Sequence, residues 1–280
     1  MSDLGFELLL RFLWGSVVLL TLVSRIETTE RFPRIATWII TGLATFAAWL
    51  GHSSHFGAQK TFLPLGALVL GSFLYAFTQA RALRILGFFM YLLCPLPFLM
   101  SRSFGGIFNF ATSGLLMGSI FAAQFLGHWF LNVPGLHIRE LQRLVKALFV
   151  SLILRTAGIA WTLFMSVGLR GEHPQIDFMG RPLGTDLSQI SGMADLSPAQ
   201  SLLGLPGDSW FGLGFFGLIL LTTRLLWGLL APWILSFMIQ STVNSRSTQS
   251  ATGILYALSV MILLGEGTAL YLQNVLGWLI

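Results

Sequence analysis

The chain has 280 residues, of which 55% are hydrophobic and 10% charged. A soluble domain carries about a quarter charged residues, so the composition excludes an ordinary soluble enzyme and points to a polytopic membrane protein. Sixteen Lys and Arg stand against eleven Asp and Glu. The basic residues are scattered singly through short connections and form no phosphate-binding patch, which argues against a nucleic-acid partner.

A hydrocarbon core about 30 Å thick takes roughly 20 apolar residues per helix. On that measure the sequence predicts an all-α, polytopic transmembrane bundle of about eight spans. They lie at 4–24, 35–51, 62–79, 85–101, 107–132, 145–169, 210–240 and 251–278, in one integral membrane domain over residues 1–280. The opening MSDLGFELLL has no basic region and no small-residue cleavage site. The first span is therefore expected to stay in the mature protein.

That first span holds Glu7 and Arg11, one helical turn apart on one face. GHSSHFG after the second span places His52 and His55 three apart. With His173 they offer three imidazoles, but no Cys, Asp or third His is close in sequence, and no metal is assigned. The fourth span contains Pro95 and Pro97 and is expected to kink or unwind there. Its Cys94 is the sole cysteine, which precludes an intrachain disulfide and reads as a packed thiol.

The fifth span contains GLLMG, a small-xxx-small pair (Gly114 and Gly118) suited to close helix packing. It ends in QFLGHWFLN, where Trp129 reads as an interface anchor. His128, beside Gly127, is a candidate haem ligand or quinol proton acceptor. The plainer alternative is a hydrogen bond to a neighbour. Only His128 of the five histidines lies within a span, which disfavours a di-haem cytochrome b. PGLHIRELQRLVKAL alternates apolar and basic positions at helical spacing. It is expected to run along the membrane interface before turning into the sixth span.

Residues 170–209 form a long polar loop with Glu172, Asp177, Asp186, Asp195 and Asp208. Within it LSPAQSLLG reads as a short helix with Ser197 as N-cap and Pro198 in the first turn. The loop is longer than a connector needs to be and suits a cap or a docking surface. GLGFFG, Gly212 to Gly217, matches the dinucleotide fingerprint in letters only. It follows no strand and opens a membrane helix, so it reads as a packing surface. The seventh span is too long to cross upright and must tilt, or bend near Pro232. The hydroxyls of NSRSTQSATGILY suit the cap of span eight. No P-loop, zinc-protease pattern, nucleophile elbow or paired-aspartate motif is present, so the chain is not expected to be an enzyme by itself.

Basic residues set the expected orientation. The odd-numbered connections hold Arg25, Arg31, Arg34, Arg81, Arg84, Arg139, Arg143, Lys146 and Arg246. The even ones hold only Lys60, Arg102, Arg170 and Arg181. The positive-inside rule then puts the odd loops in the cytoplasm, with both termini and the long loop on the far side of a bacterial inner membrane.

Five charged residues fall inside spans: Glu7, Arg11, Arg155, Arg224 and Glu266. A central Arg costs about 2.5–3.5 kcal/mol on insertion scales and normally has a partner. At about 1.5 Å per residue from each span end, Arg11 and Glu266 reach a similar level in the outer half. An intramembrane ion pair of Arg11, Glu266 and Glu7 is therefore expected. The same count puts Arg155 near mid-depth and Arg224 in the inner half, with no carboxylate beside them. Two cations so placed invite an anionic or carbonyl-bearing ligand. The alternative partners are backbone carbonyls freed at the proline breaks, or the membrane surface reached by snorkelling.

The leading expectation is an integral membrane subunit of a respiratory or other redox complex. Arg155, Arg224 and His128 would bind a quinone, a lipid or another anionic ligand near the inner leaflet, with haem as the other cofactor considered. Beyond the lipid bilayer, its partners would be other membrane or periplasmic subunits docked on the acidic loop. A second reading is a secondary transporter or proton pathway that uses Glu266, with Gly265 and Gly267 opening space around it. A third is a structural or assembly subunit without a site.

Overall fold

The computed structural model describes residues 2–23, 31–52, 57–78, 80–100, 104–133, 138–168 and 214–276. All regular structure among them is helical. In chain order the helices are α1 (Ser2–Leu20), α2 (Arg31–His52), α3 (Gly57–Phe77), α4 (Arg81–Leu93), α5 (Leu96–Leu99), α6 (Phe104–Asn132), α7 (Arg139–Gly168) and α8 (Gly214–Leu225). A π-helical segment, Leu226–Leu230, follows, then α9 (Ala231–Asn244) and α10 (Thr248–Leu276).

Among the described residues six stretches are long and apolar enough to cross a membrane: Arg31–His52, Arg81–Leu99, Gly105–Asn132, Arg139–Trp161, Ile219–Asn244 and Thr248–Gln273. Helix α1, with Asp3, Glu7 and Arg11 in nineteen residues, is not among them. The apolar part of α3, Phe62–Phe77, is shorter than the six. The side-chain distribution is that of an integral membrane protein. Trp38, Trp49, Val150, Phe237 and Val260 are each more than half exposed, whereas none of the five intramembrane charged residues exceeds 2%. Water selects the opposite arrangement.

Helices α1 and α6 sit in the middle and contribute to both apolar cores. One core joins Leu116, Leu126, Leu148, Ile239 and Leu255; the other joins Phe6, Leu10, Leu68, Tyr91 and Phe110. Close approach at the centre depends on glycine. A Cβ at Gly15 of α1 would overlap the Gly114 carbonyl of α6, and one at Gly118 would overlap the Gly15 backbone. The GLLMG pair is thus the seat of the α1–α6 crossing. Lipid gives apolar helices no solvent-driven reason to associate, so contact this close is what holds them.

Prolines interrupt two helices. The fourth span stops at Leu93, turns through Cys94 and Pro95, and resumes as α5. The Trp14 indole donates to the Leu92 carbonyl at 3.2 Å, a group in the last turn of α4, where helical partners run out. Trp14→Phe removes that donor while keeping most of the packing. A loss of about 1 kcal/mol is expected in detergent unfolding, and an unchanged midpoint would contradict the role. Pro232 lies four residues after Gly228, the position whose carbonyl its ring would strike in a regular helix. The chain takes up the mismatch in the π-helical turn Leu226–Leu230. Between α9 and α10 the turn is closed by Arg246 at φ 58°, with Ser247 N–H donating to Thr242 O and Arg246 N–H to Val243 O. This is the pattern of a Schellman cap.

The amphipathic segment after residue 133 differs from expectation. It does not run separately along the interface: residues 139–149 are the first turns of the continuous helix α7. The reason is its apolar face. Leu141, Leu144, Val145 and Leu148 are completely buried in the core, and Arg143 turns outward to pair with Glu140 at 2.5 Å. The loop 170–209 and its Ser197 helix lie outside the described residues.

Candidate functional site

Helices α1, α6, α7, α8 and α10 bring polar side chains to one level in the bundle. Arg155 of α7 meets Glu266 of α10 side-on, with Nε to Oε1 at 3.0 Å and Nη2 to Oε2 at 2.8 Å. Paired N–H donors of this kind match carboxylate geometry and fix orientation as well as charge. The remaining Arg155 nitrogen, Nη1, donates to Asn109 Oδ1 and, at 3.4 Å, to Thr112 Oγ1, both on α6. Each of the three Arg155 nitrogens therefore has a protein partner.

Glu266 takes two further donors. Arg224 of α8 reaches Oε1 through Nη1 at 3.0 Å, and Ser113 Oγ reaches Oε2 at 2.6 Å. Gly228 and Gly265 make room for Arg224. A Cβ at Gly228 would stand 2.6 Å from Arg224 Nη1, and one at Gly265 would overlap the Gly228 backbone. The space beside Gly265 is thus filled by the neighbouring segment rather than open around Glu266.

The network continues into α1. Asn109 Nδ2 donates to Gln273 Oε1 at 3.0 Å, and Arg11 Nη2 approaches the same oxygen at 3.5 Å. Arg11 also pairs with Glu7, Nη2 to Oε1 at 2.5 Å, and lies 5.6 Å from the Phe110 ring centre. Among the described residues three guanidinium groups thus share the buried layer with two carboxylates, a net of +1. Four guanidinium nitrogens, Nε and Nη1 of Arg11 and Nε and Nη2 of Arg224, are buried and donate to no partner among the described residues. Leaving a buried donor unmade costs about 1–3 kcal/mol, more for a charged group.

The pairing expected from residue counting is corrected here. Glu266 does not pair with Arg11. It joins Arg155 and Arg224, the two residues expected to lack a carboxylate, while Arg11 takes Glu7 one turn away. The error lies in depth. Counting from span ends assumes that each span starts at a membrane face. A 3.0 Å bond to Glu266 instead places the Arg224 guanidinium at the same level in the bundle as that of Arg155. The hydrogen bonds of Arg155 and Arg224 go to side chains and not to backbone carbonyls at the proline breaks.

His128 is not brought to the arginines. It stands fifteen residues along α6 from Ser113, about 22 Å by helical rise, and its side chain is exposed. Gly127 before it packs on Thr252, so the close approach there is helix to helix. The His52 ring lies 6.4 Å from that of Phe62, while His55 and His173 fall outside the described residues. Among the described residues no three His, Cys, Asp or Glu side chains gather as a metal site would require.

Sequence reading missed Asn109, Ser113, Thr112 and Gln273. Hydroxyls in membrane helices usually bond their own backbone, as Thr37, Thr41 and Thr45 do four residues back. Ser and Thr therefore carry little signal. The amides of Asn109 and Gln273 are the more telling sign, because each brings both donors and acceptors into a span. Comparison with protein-family models, with curated proteins and with solved structures finds no match for this chain.

Proposed function

We propose that this chain is the ligand-binding membrane subunit of a redox complex. It holds an oxygen-rich ligand, a quinone carbonyl or an anionic group, against Arg11 and Arg224. One observation carries the reading: among the described residues the buried layer has one guanidinium more than it has carboxylates, and four of its guanidinium nitrogens lack partners. Arg155 and Glu266 form the fixed frame. Arg224, bonded through Nη1 alone, is the group with donors to offer. A π-helical turn beside it fits this role, since such turns gather at functional sites. In this reading eight spans cross a bacterial inner membrane with both termini outside, and the acidic segment 170–209 docks a periplasmic or membrane partner.

The transporter reading has less support. Both Glu266 oxygens are occupied by donors from Arg155, Arg224 and Ser113. A carboxylate that shuttles protons needs an oxygen open to an incoming donor. A purely structural subunit would have no use for the unpaired guanidinium nitrogens.

The test is purification from native membranes in mild detergent, followed by an optical spectrum, quinone extraction and a subunit inventory. Bound quinone or another chromophore, together with partner subunits, is the expected result. Arg224→Gln should lower ligand retention about tenfold, consistent with loss of a charge-assisted hydrogen bond. It should cost little stability, because Glu266 keeps Arg155 and Ser113 and the layer becomes neutral. A colourless protein that purifies alone, with no extractable quinone, would refute the proposal.

A further inference from the structure

The donors left over in the buried layer are not interchangeable, and their positions narrow the ligand. One edge of a guanidinium group carries Nε and Nη2 and presents two parallel N–H bonds to the same side. Arg155 uses that edge on Glu266, with Nε to Oε1 at 3.0 Å and Nη2 to Oε2 at 2.8 Å. Arg224 engages the same carboxylate through Nη1, at 3.0 Å. Its Nε and Nη2 are both buried and donate to nothing among the described residues. The edge that grips a carboxylate on Arg155 is thus left whole on Arg224.

Arg11 differs. Its Nη2 donates to Glu7 and Gln273, which leaves Nε and Nη1. These two nitrogens belong to different edges of the group, so Arg11 offers single N–H bonds and no parallel pair. The two arginines therefore suit different ligand atoms. A lone carbonyl oxygen, as on a quinone, meets one N–H at a time. Two coplanar oxygens on one carbon meet the Arg224 pair together.

Charge leads to the same class. Among the described residues the layer stands at +1, and one singly charged anion brings it to zero. A neutral carbonyl leaves the surplus charge in place, and a phosphate monoester with two charges overshoots it. Either imbalance is costly where burial removes the water that would screen it. The approach is from the side of α8. Over residues 219–230 only Arg224 and Gly228 are buried, whereas Ile219, Leu225, Leu226 and Trp227 are each more than 40% exposed. Helix α8 therefore forms the rim of the bundle, with Arg224 directly behind it.

We infer, on the ligand-binding reading above, that the ligand is a singly charged carboxylate held side-on by Nε and Nη2 of Arg224, as Arg155 holds Glu266. The bond from Nη1 to Glu266 fixes the plane of the guanidinium, which the incoming carboxylate must share. Arg11 adds positive charge to the layer but no fork. A fatty acid in the bilayer and a small carboxylate from water carry the same group, and the experiment separates the two sources.

NMR of carboxyl-labelled oleate or acetate, added to the full chain in detergent micelles, tests it. At least one of the two should give a bound carboxyl resonance distinct from that of the free probe. Oleate doing so identifies a lipid-borne ligand, and acetate alone a water-borne one. Oleyl alcohol in excess should not displace the bound probe. Arg224→Lys keeps the charge of the layer but loses the fork, so it should weaken binding about tenfold. Arg143→Gln, at an exposed side chain three turns earlier in α7 than Arg155, should leave it unchanged. Gel filtration verifies that each variant is folded, and the wild-type arms need no variant. No bound resonance with either probe, displacement by oleyl alcohol, or equal affinity in Arg224→Lys would each overturn the inference. If decylubiquinone binds in an Arg224-dependent way and neither carboxylate does, the carboxylate assignment alone fails. If none of the three binds, the ligand-binding reading fails with it.

Discussion

Glu266→Gln is expected to destabilise the folded bundle by about 3–5 kcal/mol, the cost of removing one partner from a buried ionic group. Glu266 is the shared counterion of Arg155 and Arg224, and it has no exposure at all. Without its charge, three guanidinium groups would face only Glu7, a net of +2 in a layer without water to screen it. The neutral amide keeps the shape and one acceptor but meets Arg155 with a donor where an acceptor is needed. Equilibrium unfolding in mixed detergent micelles reads the loss. Adding Arg224→Gln restores the original net charge, and this double variant should recover about half of the stability, since the two positions share one network. A single variant that unfolds at the wild-type midpoint would show that Glu266 does not hold the layer together.

The second large effect is expected at the α1–α6 crossing. Gly118→Ala puts a methyl group into the Gly15 backbone. Backbone cannot rotate aside as a side chain can, so the two helices must separate. Separation also strains the Arg11 and Asn109 ends of the polar network, which these helices carry. A loss of about 1–3 kcal/mol follows from overpacking alone. Gly42→Ala is the control, because nothing lies within 4 Å of a Cβ there. It should be neutral or stabilising by up to about 1 kcal/mol, the ordinary helix-propensity gain. Equal effects at the two positions would mean that the crossing does not depend on its glycines.

Much of the architecture was legible because it follows from local composition. Uninterrupted apolar runs have only one stable form in hydrocarbon, a helix that satisfies its own backbone. The break at Cys94–Pro95 followed from proline stereochemistry, and the bend near Pro232 appears as a π-helical turn for the same reason. GLLMG identified one side of the α1–α6 crossing. Its partner Gly15 could not be singled out, since a lone glycine has no spacing to reveal which helix it meets. The segment before the sixth span was misread because amphipathic periodicity is the same whether the apolar face meets lipid headgroups or a protein core.

By itself the sequence determined that five ionisable residues would be buried in an apolar bundle, because Arg and Glu inside long apolar helices have no other place to be. Only the tertiary structure decided which charges meet. Glu266 serves Arg155 and Arg224, Arg11 keeps Glu7, and His128 stands apart. A pairing depends on the rotation and offset of separate helices, and a shift of one turn moves a side chain by about 5.4 Å, more than the reach of a hydrogen bond. Offsets of that size are set by glycine contacts and proline breaks in other helices, which no reading of a single span contains.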